Sequence, residues 1–254
     1  MFLFDIPSLV GVLCCFFMGE DAQGPRWKSI AEMSLILGMC LSLIGIIHML
    51  SQLSDSMLIG QEIALALLPM LYAGIIAGVC SIASSASMTK ATTNTQASFV
   101  QKAYSIVLFA IVLVLAGLYN GLAVVFWDTI AFALLLIFVG IPLANLWYRM
   151  SPQQQEEDAI YLVLQELRNY SVVAMAIAFG LSSICTLYYL DDPTAIGPWM
   201  AVGLLSQLYG CSVLGVASIL DMHREKYTNN TLIIGIIIVV LEIVMSISVL
   251  LALV

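Results

Sequence analysis

"LDDPTAIGPWMAVGLLSQLYG", residues 190–210, opens on an Asp-Asp-Pro turn and runs into an apolar helix pattern carrying a polar Ser206-Gln207 pair. Asp and Pro favour such a start because carboxylates satisfy free helix N–H groups and proline pre-sets the backbone. Long apolar runs flank the stretch on both sides, so it reads as the outer turn of a membrane hairpin. A buried amide must find partners or water, and what Gln207 meets is the question the stretch raises. Moved by 137 positions, the same pattern recurs as "LSDSMLIGQEIALALLPMLYAGIIAGVCSIA", residues 53–83, against 190–220, with thirteen identities in 31 ungapped positions. Among them are Asp55/Asp192, Gly60/Gly197, Tyr72/Tyr209, Gly78/Gly215 and Ser81/Ser218. Identities of this kind point to an internal duplication.

The 254 residues are 62% hydrophobic and 9% charged, with a mean hydropathy of +1.06, which excludes an ordinary soluble domain with a charged surface. Crossing ~30 Å of hydrocarbon takes about 20 apolar residues in a helix. Runs of that kind are expected at 1–19, 29–51, 58–85, 103–121, 125–148, 169–189, 197–221 and 231–254. The fold class that follows is an all-α integral membrane protein with eight transmembrane helices in two parallel repeats. The repeats are parallel because four spans, an even number, separate them. Inverted repeats are the more usual build of alternating-access transporters.

The basic residues test this count, since cytoplasmic loops collect them. Arg26, Lys28, Lys90, Lys102, Arg149, Arg168, Arg224 and Lys226 all fall on one side, and the loops on the other side hold none. Both termini are therefore expected on the non-cytoplasmic side of a bacterial inner membrane. Residues 1–19 lack the basic start of a secretory signal and are needed for the loop parity, so they read as a span. The net charge of -8 and the absence of a basic patch leave no basis for nucleic-acid binding. Cys14, Cys15, Cys40, Cys80, Cys185 and Cys211 lie within spans without metal-ligand spacing, so they read as packing residues, and no metal or cofactor is expected. No nucleotide-binding loop or catalytic triad occurs, and the chain does not read as an enzyme.

Among the polar residues, Glu242 in "TLIIGIIIVVLEIVMSISVLLALV" stands near the middle of a span, ~15 Å from either surface by helix rise. A carboxyl at that depth costs a few kcal/mol and must face protein or water. It is either an ion-handling group or a protonated acid bonding one helix to another. Ser206 and Gln207 line a path, contact a partner or bond between helices; Ser42 is a weaker candidate because serine can bond back to its own helix. Asp5, Asp55, Glu62, Asp128, Asp191 and Asp192, with His48 nearby, lie at outer span ends. They form an acidic rim that concentrates cations, or they cap helices and turns. Gly74, Ala77 and Gly78 in one copy, and Gly210, Leu214 and Gly215 in the other, would let neighbouring backbones approach closely. "SPQQQEEDAIYLVLQELRNY", 151–170, reads as an amphipathic cytoplasmic helix.

The stretch 190–210 resembles the turn and fourth transmembrane helix of the flagellar-motor stator A subunits, in the MotA/TolQ/ExbB superfamily. "FLFDIPSL" at 2–9 is similar to the start of that family's second helix, and Trp127-Asp128 resembles a degraded second copy of it. The resemblance implies a first stator-like repeat at 1–102 (family helices 2–4) and a second at 103–230 (family helices 1–4). Residues 231–254 would be a detached first helix completing the first repeat. The family's helix 3 hydroxyl aligns with Ser42 and with Phe179; its helix 4 threonine pair aligns with Pro69-Met70 and with Ser206-Gln207. The large cytoplasmic domain of stators is missing, since the links Gly19 to Lys28 and Arg149 to Arg168 are too short for it.

What the resemblance implies is a membrane subunit of an ion-driven motor or energy-transducing complex, with the proton as the ion, embedded in lipid. Its partners would be a single-span B-type subunit, further copies of itself, or both. Two alternatives stay open. One is a non-conducting structural or assembly subunit that keeps the stator fold, and the other is a small-solute or ion transporter.

Overall fold

The structure is a computed structural model that describes residues 6–18, 20–21, 24–25, 27–51, 59–86, 99–120, 128–140, 144, 156–189, 193–221 and 230–253. Apart from a two-residue antiparallel pairing of Glu20–Asp21 with Gly24–Pro25, the regular structure among these residues is helical. In chain order the helices are α1 (Ile6–Met18), α2 (Trp27–Ser51), α3 (Ile59–Ala86), α4 (Phe99–Tyr119), α5 (Thr129–Leu135), α6 (Glu156–Tyr188), α7 (Pro193–Asp221) and α8 (Asn230–Leu253). A π-helical turn, Leu136–Gly140, continues α5.

Six of these helices are long and apolar enough to cross a membrane: α2, α3, α4, α6, α7 and α8. The chain is a multi-pass membrane protein. The expected spans 1–19 and 125–148 lie partly outside the described residues; within them α1 has 13 residues and α5 with its π turn has 12, from Thr129 to Gly140. At about 1.5 Å per residue, each described part rises about 20 Å.

Two differences from the sequence expectations appear along α6. The amphipathic helix expected at 151–170 and the span at 169–189 form one continuous helix of 33 residues. No proline or glycine falls between Glu156 and Phe179 to stop it. Arg168, expected in the link, is a buried residue of this helix. Its neighbour Asn169 accepts a hydrogen bond of 3.2 Å from the Thr231 hydroxyl in the first turn of α8, so Arg168 lies level with the start of that span. Tyr188 and Tyr189 pack edge to face at the other end of α6, and Tyr189 stacks on Trp199 at 6.2 Å. Such rings suit a membrane boundary, where one edge is apolar and the other wet.

The molecule is held by two antiparallel helix hairpins, α2/α3 and α6/α7, with α2 lying between α3 and α7. Beyond Lys28 and Glu32 in its first turns, α2 has no charged face, and a helix of that kind belongs inside: Ile30, Ile36, Leu37, Leu43, Ile44 and Ile46 are all buried. Each hairpin closes on small residues. In the first, a Cβ on Gly38 would collide with Ala73, and two turns on a Cβ on Gly45 would stand 2.9 Å from Ala66. In the second, a Cβ on Gly210 would collide with Met175 and one on Gly203 with Ser182. Filling such contacts costs about 1–3 kcal/mol each.

Gly74 and Gly78, expected at close approaches, have no atom of the described residues within 4 Å of an added Cβ. They lie on an uncovered face of α3, whereas Gly210 and Gly215 do meet neighbours, Gly215 against the Phe109 ring of α4. The backbone approach in the first hairpin is made by Gly38 and Gly45 instead. Around this centre α1 packs on α2, α3 and α4; α5 packs on α7 and α6; and α8 lies on α6 and α7 and reaches α2.

Candidate functional site: an enclosed carboxyl between three helices

Glu242 occupies the middle of α8, eleven residues from Thr231, or about 16 Å along the helix. Its side chain is wholly buried at the junction of α6, α7 and α8. The Ser182 hydroxyl of α6 lies 3.2 Å from Glu242 Oε1 and also 3.2 Å from the Trp199 carbonyl of α7, so its one proton is offered to two acceptors. The Gln207 Nε2 of α7 donates to Glu242 Oε2 over 3.5 Å, a long bond.

Gly203 makes the room. An added Cβ there would collide with Ser182 and stand 2.6 Å from Glu242 Oε1, so any side chain would press on the carboxyl. Gln207 lies one turn further along α7, on the same face as Gly203. The local sequence thus answers the opening question in part: Gln207 faces the acid of α8.

The groups bonding Glu242 are neutral, and a carboxyl among neutral partners is least costly to bury as the acid. The Gln207 amide suits both protonation states. Its Nε2 donates to a carboxylate, and its Oε1, which has no partner among the described residues, accepts from an acid once the amide turns over. Which end of an amide points where is set by the bonds it makes.

One turn beyond Ser182 on α6 is Thr186, and one turn beyond Glu242 on α8 is Ser246. Both are fully buried, and neither hydroxyl has a hydrogen-bond partner among the described residues. Buried polar atoms are ordinarily paired. Thr186, Ser246 and the Gln207 Oε1 are thus three orphaned oxygens placed along the helix axes on both sides of Ser182 and Glu242. Thr186 and Ser246 extend the polar set towards the C-terminal ends of α6 and α8.

Of the candidate path residues, Glu242 and Gln207 meet. Ser206 does not join them: its hydroxyl donates to the Val202 carbonyl of its own helix at 2.8 Å. Ser42 is buried in α2 without a hydrogen-bond partner among the described residues and is not among the groups bonded to Glu242. Ser182, Thr186, Ser246 and Gly203 escaped the sequence reading. The i, i+4 spacing of Ser182 with Thr186 and of Glu242 with Ser246 was the available signal.

Of the rim residues, Asp5, Asp55, Asp191 and Asp192 lie outside the described residues. Asp128 is the N-cap of α5, where its carboxylate accepts from the Ala131 N–H at 2.8 Å. Its own N–H donates to the Tyr209 hydroxyl at 3.4 Å. Glu62, in the first turn of α3, is half-buried. It lines, with His48, Ser8 and Asn120, the polar part of an otherwise apolar cavity of about 760 Å³ between α1, α2, α3 and α4.

Fold and site together define a multi-pass helical membrane protein with a carboxyl enclosed between three spans. No protein-family model, curated protein sequence or solved structure matches the chain.

Proposed function

We propose that the chain is a proton-handling membrane subunit of an ion-driven motor or energy-transducing complex of the MotA/TolQ/ExbB type, with Glu242 as the group that takes up and releases the proton. The observation that carries this reading is the enclosure of Glu242 by Ser182 and Gln207, with unpartnered Thr186 and Ser246 hydroxyls one turn away. A proton moving between the faces needs polar stations no further apart than a single water can bridge, about one helical turn, and one group able to change its protonation state. By the resemblance, the acid beside helices 3 and 4 belongs to a separate single-span subunit. Here α8 brings a carboxyl of the chain itself to the hairpin α6/α7.

The duplicated architecture draws support from packing. The contact pairs Gly38/Ala73 and Gly45/Ala66 of the first hairpin become Met175/Gly210 and Ser182/Gly203 when 137 is added to each number. Ser34 and Ser171, likewise 137 apart, each donate at 2.8 Å to the carbonyl three residues earlier, in Ala31 and Arg168. The eight-span layout, the bacterial inner membrane and the outward termini follow from the loop charges and stand with this reading.

A non-conducting assembly subunit is the second reading. It is favoured by Ser206, which stands at a threonine position of the family yet spends its hydroxyl on its own helix. Purification from native membranes separates the possibilities. The motor reading expects co-purification with a single-span subunit and loss of proton-driven function in Glu242→Gln. A lone monomer that moves a solute in liposomes would contradict it, and full function in Glu242→Gln would leave the scaffold.

A further inference from the structure

The cavity between α1, α2, α3 and α4 shares no residue with the Glu242 site, and its polar groups gather at one end. Ser8 lies in the first turn of α1, His48 in the last turn of α2, Glu62 in the first turn of α3 and Asn120 just past α4. By the loop charges this is the outer end. From there the apolar walls run inward about 10 Å, the rise of α2 from His48 to Leu41. Val10, Leu115 and Leu118 line the cavity and are also exposed, so it opens sideways between α1 and α4 towards the bilayer. Its volume of about 760 Å³ falls within the ~300–1,000 Å³ usual for small-molecule sites.

The charges around this cavity favour a cation inside it. Lys28 and Lys102 stand at the inner ends of α2 and α4, and the stretches 1–25, 29–89 and 103–148 hold no Lys or Arg. Glu62 thus has only the His48 imidazole as an ionisable base on the same lining. The backbone adds to the negative wall. Pro69 lies inside α3 and has no N–H, so the Leu65 carbonyl one turn earlier receives no bond from it, and both residues line the cavity. A carboxyl and a released carbonyl on one wall attract positive charge and repel a phosphate or carboxylate head. Tyr119 adds an aromatic ring, a favourable neighbour for a cation. The duplication does not account for this set, because 137 positions further on Glu62 becomes Trp199 and Pro69 becomes Ser206.

We propose that this cavity binds a lipophilic organic cation, with its single positive charge beside Glu62 and its apolar body against Leu41, Ala66, Val112 and Ala116. Such a molecule partitions into the bilayer and reaches the cavity sideways, between α1 and α4. The site stands independently of the proton chemistry assigned to Glu242.

The test is equilibrium dialysis of the full chain in dodecyl maltoside micelles against radiolabelled tetraphenylphosphonium, with the uptake of empty micelles subtracted. Tetraphenylborate, of the same shape and opposite charge, is the companion probe. The proposal expects saturable binding of one phosphonium per chain and no saturable binding of the borate. Glu62→Gln should bind the phosphonium at least about tenfold more weakly, and Glu62→Asp should restore most of the affinity. Ala116→Phe, which fills the cavity from α4, should abolish binding. Glu242→Gln should bind as the wild type does; loss of binding in that variant, folded, moves the site to the junction of α6, α7 and α8 and overturns the proposal. Equal binding of the two probes, unchanged affinity in Glu62→Gln, or no saturable phosphonium binding overturns it as well. The comparison of probes uses the wild type alone, so it decides even where a variant does not fold.

Discussion

Exchanging one contact pair for its counterpart tests both the packing of the site and the duplicated register. Ser182 and Gly203 meet in the second hairpin where Gly45 and Ala66 meet in the first. The perturbation is Ser182→Gly, Gly203→Ala and the two together. Gly203→Ala gains about 1 kcal/mol of helix propensity. Against this, its methyl collides with Ser182 and stands 2.6 Å from Glu242 Oε1, an overpacking at the upper part of the usual range of about 1–3 kcal/mol. The net expectation is a loss of about 1–2 kcal/mol. Ser182→Gly alone loses a hydrogen bond and some helix propensity, together about 1–2 kcal/mol. In the double variant the Ser182 obstruction is gone, and of the three nearest atoms the alanine still meets the movable tip of Glu242. A favourable coupling of about 1–2 kcal/mol should therefore appear in the cycle. The assay is reversible unfolding in mixed micelles, read for wild type, both single variants and the double. Coupling within the additive scatter of about 0.5 kcal/mol, or a Gly203→Ala chain more stable than wild type, refutes the reasoning.

Three further outcomes follow from the same structure. Thr186→Val and Ser246→Ala remove buried hydroxyls without partners among the described residues, so stability should hold or rise by about 1 kcal/mol in the same unfolding assay, while proton flux falls. Asp128→Ala removes the cap of α5 and should cost about 1 kcal/mol, with Asp128→Asn restoring most of it. Gly74→Ala, at an open position, should leave a single chain unharmed or slightly more stable, in contrast to Gly38→Ala, which would collide with Ala73.

Long apolar runs between turn signals made the helices legible in the sequence, because hydrocarbon admits little else than a helix whose backbone bonds are internal. Glu242 was legible for a related reason: one acid in an apolar run has no ordinary explanation. Its partners were less so. Gln207 drew notice as a buried amide, whereas Ser182 and Thr186 belong to residue types common in membrane helices, and nothing local says which face of α6 meets α8. Gly74 and Gly78 show the same limit from the other side. Their small size is readable, but whether a helix covers them depends on how the two hairpins come together. Arg168 looked like a loop residue because charge usually marks a span end, and it sits inside a helix that carries on past the span.

The central claim is that the Glu242 carboxyl changes protonation state to carry a proton across the membrane. Proton flux into liposomes holding the complex isolated from native membranes, driven by an imposed potential and read with an enclosed pH-sensitive dye, tests it most directly. Wild-type complex should acidify the interior, and Glu242→Gln, folded and assembled equally, should not, since an amide keeps the bonds to Ser182 and Gln207 but holds no exchangeable acid proton. Equal acidification by the two would contradict the account.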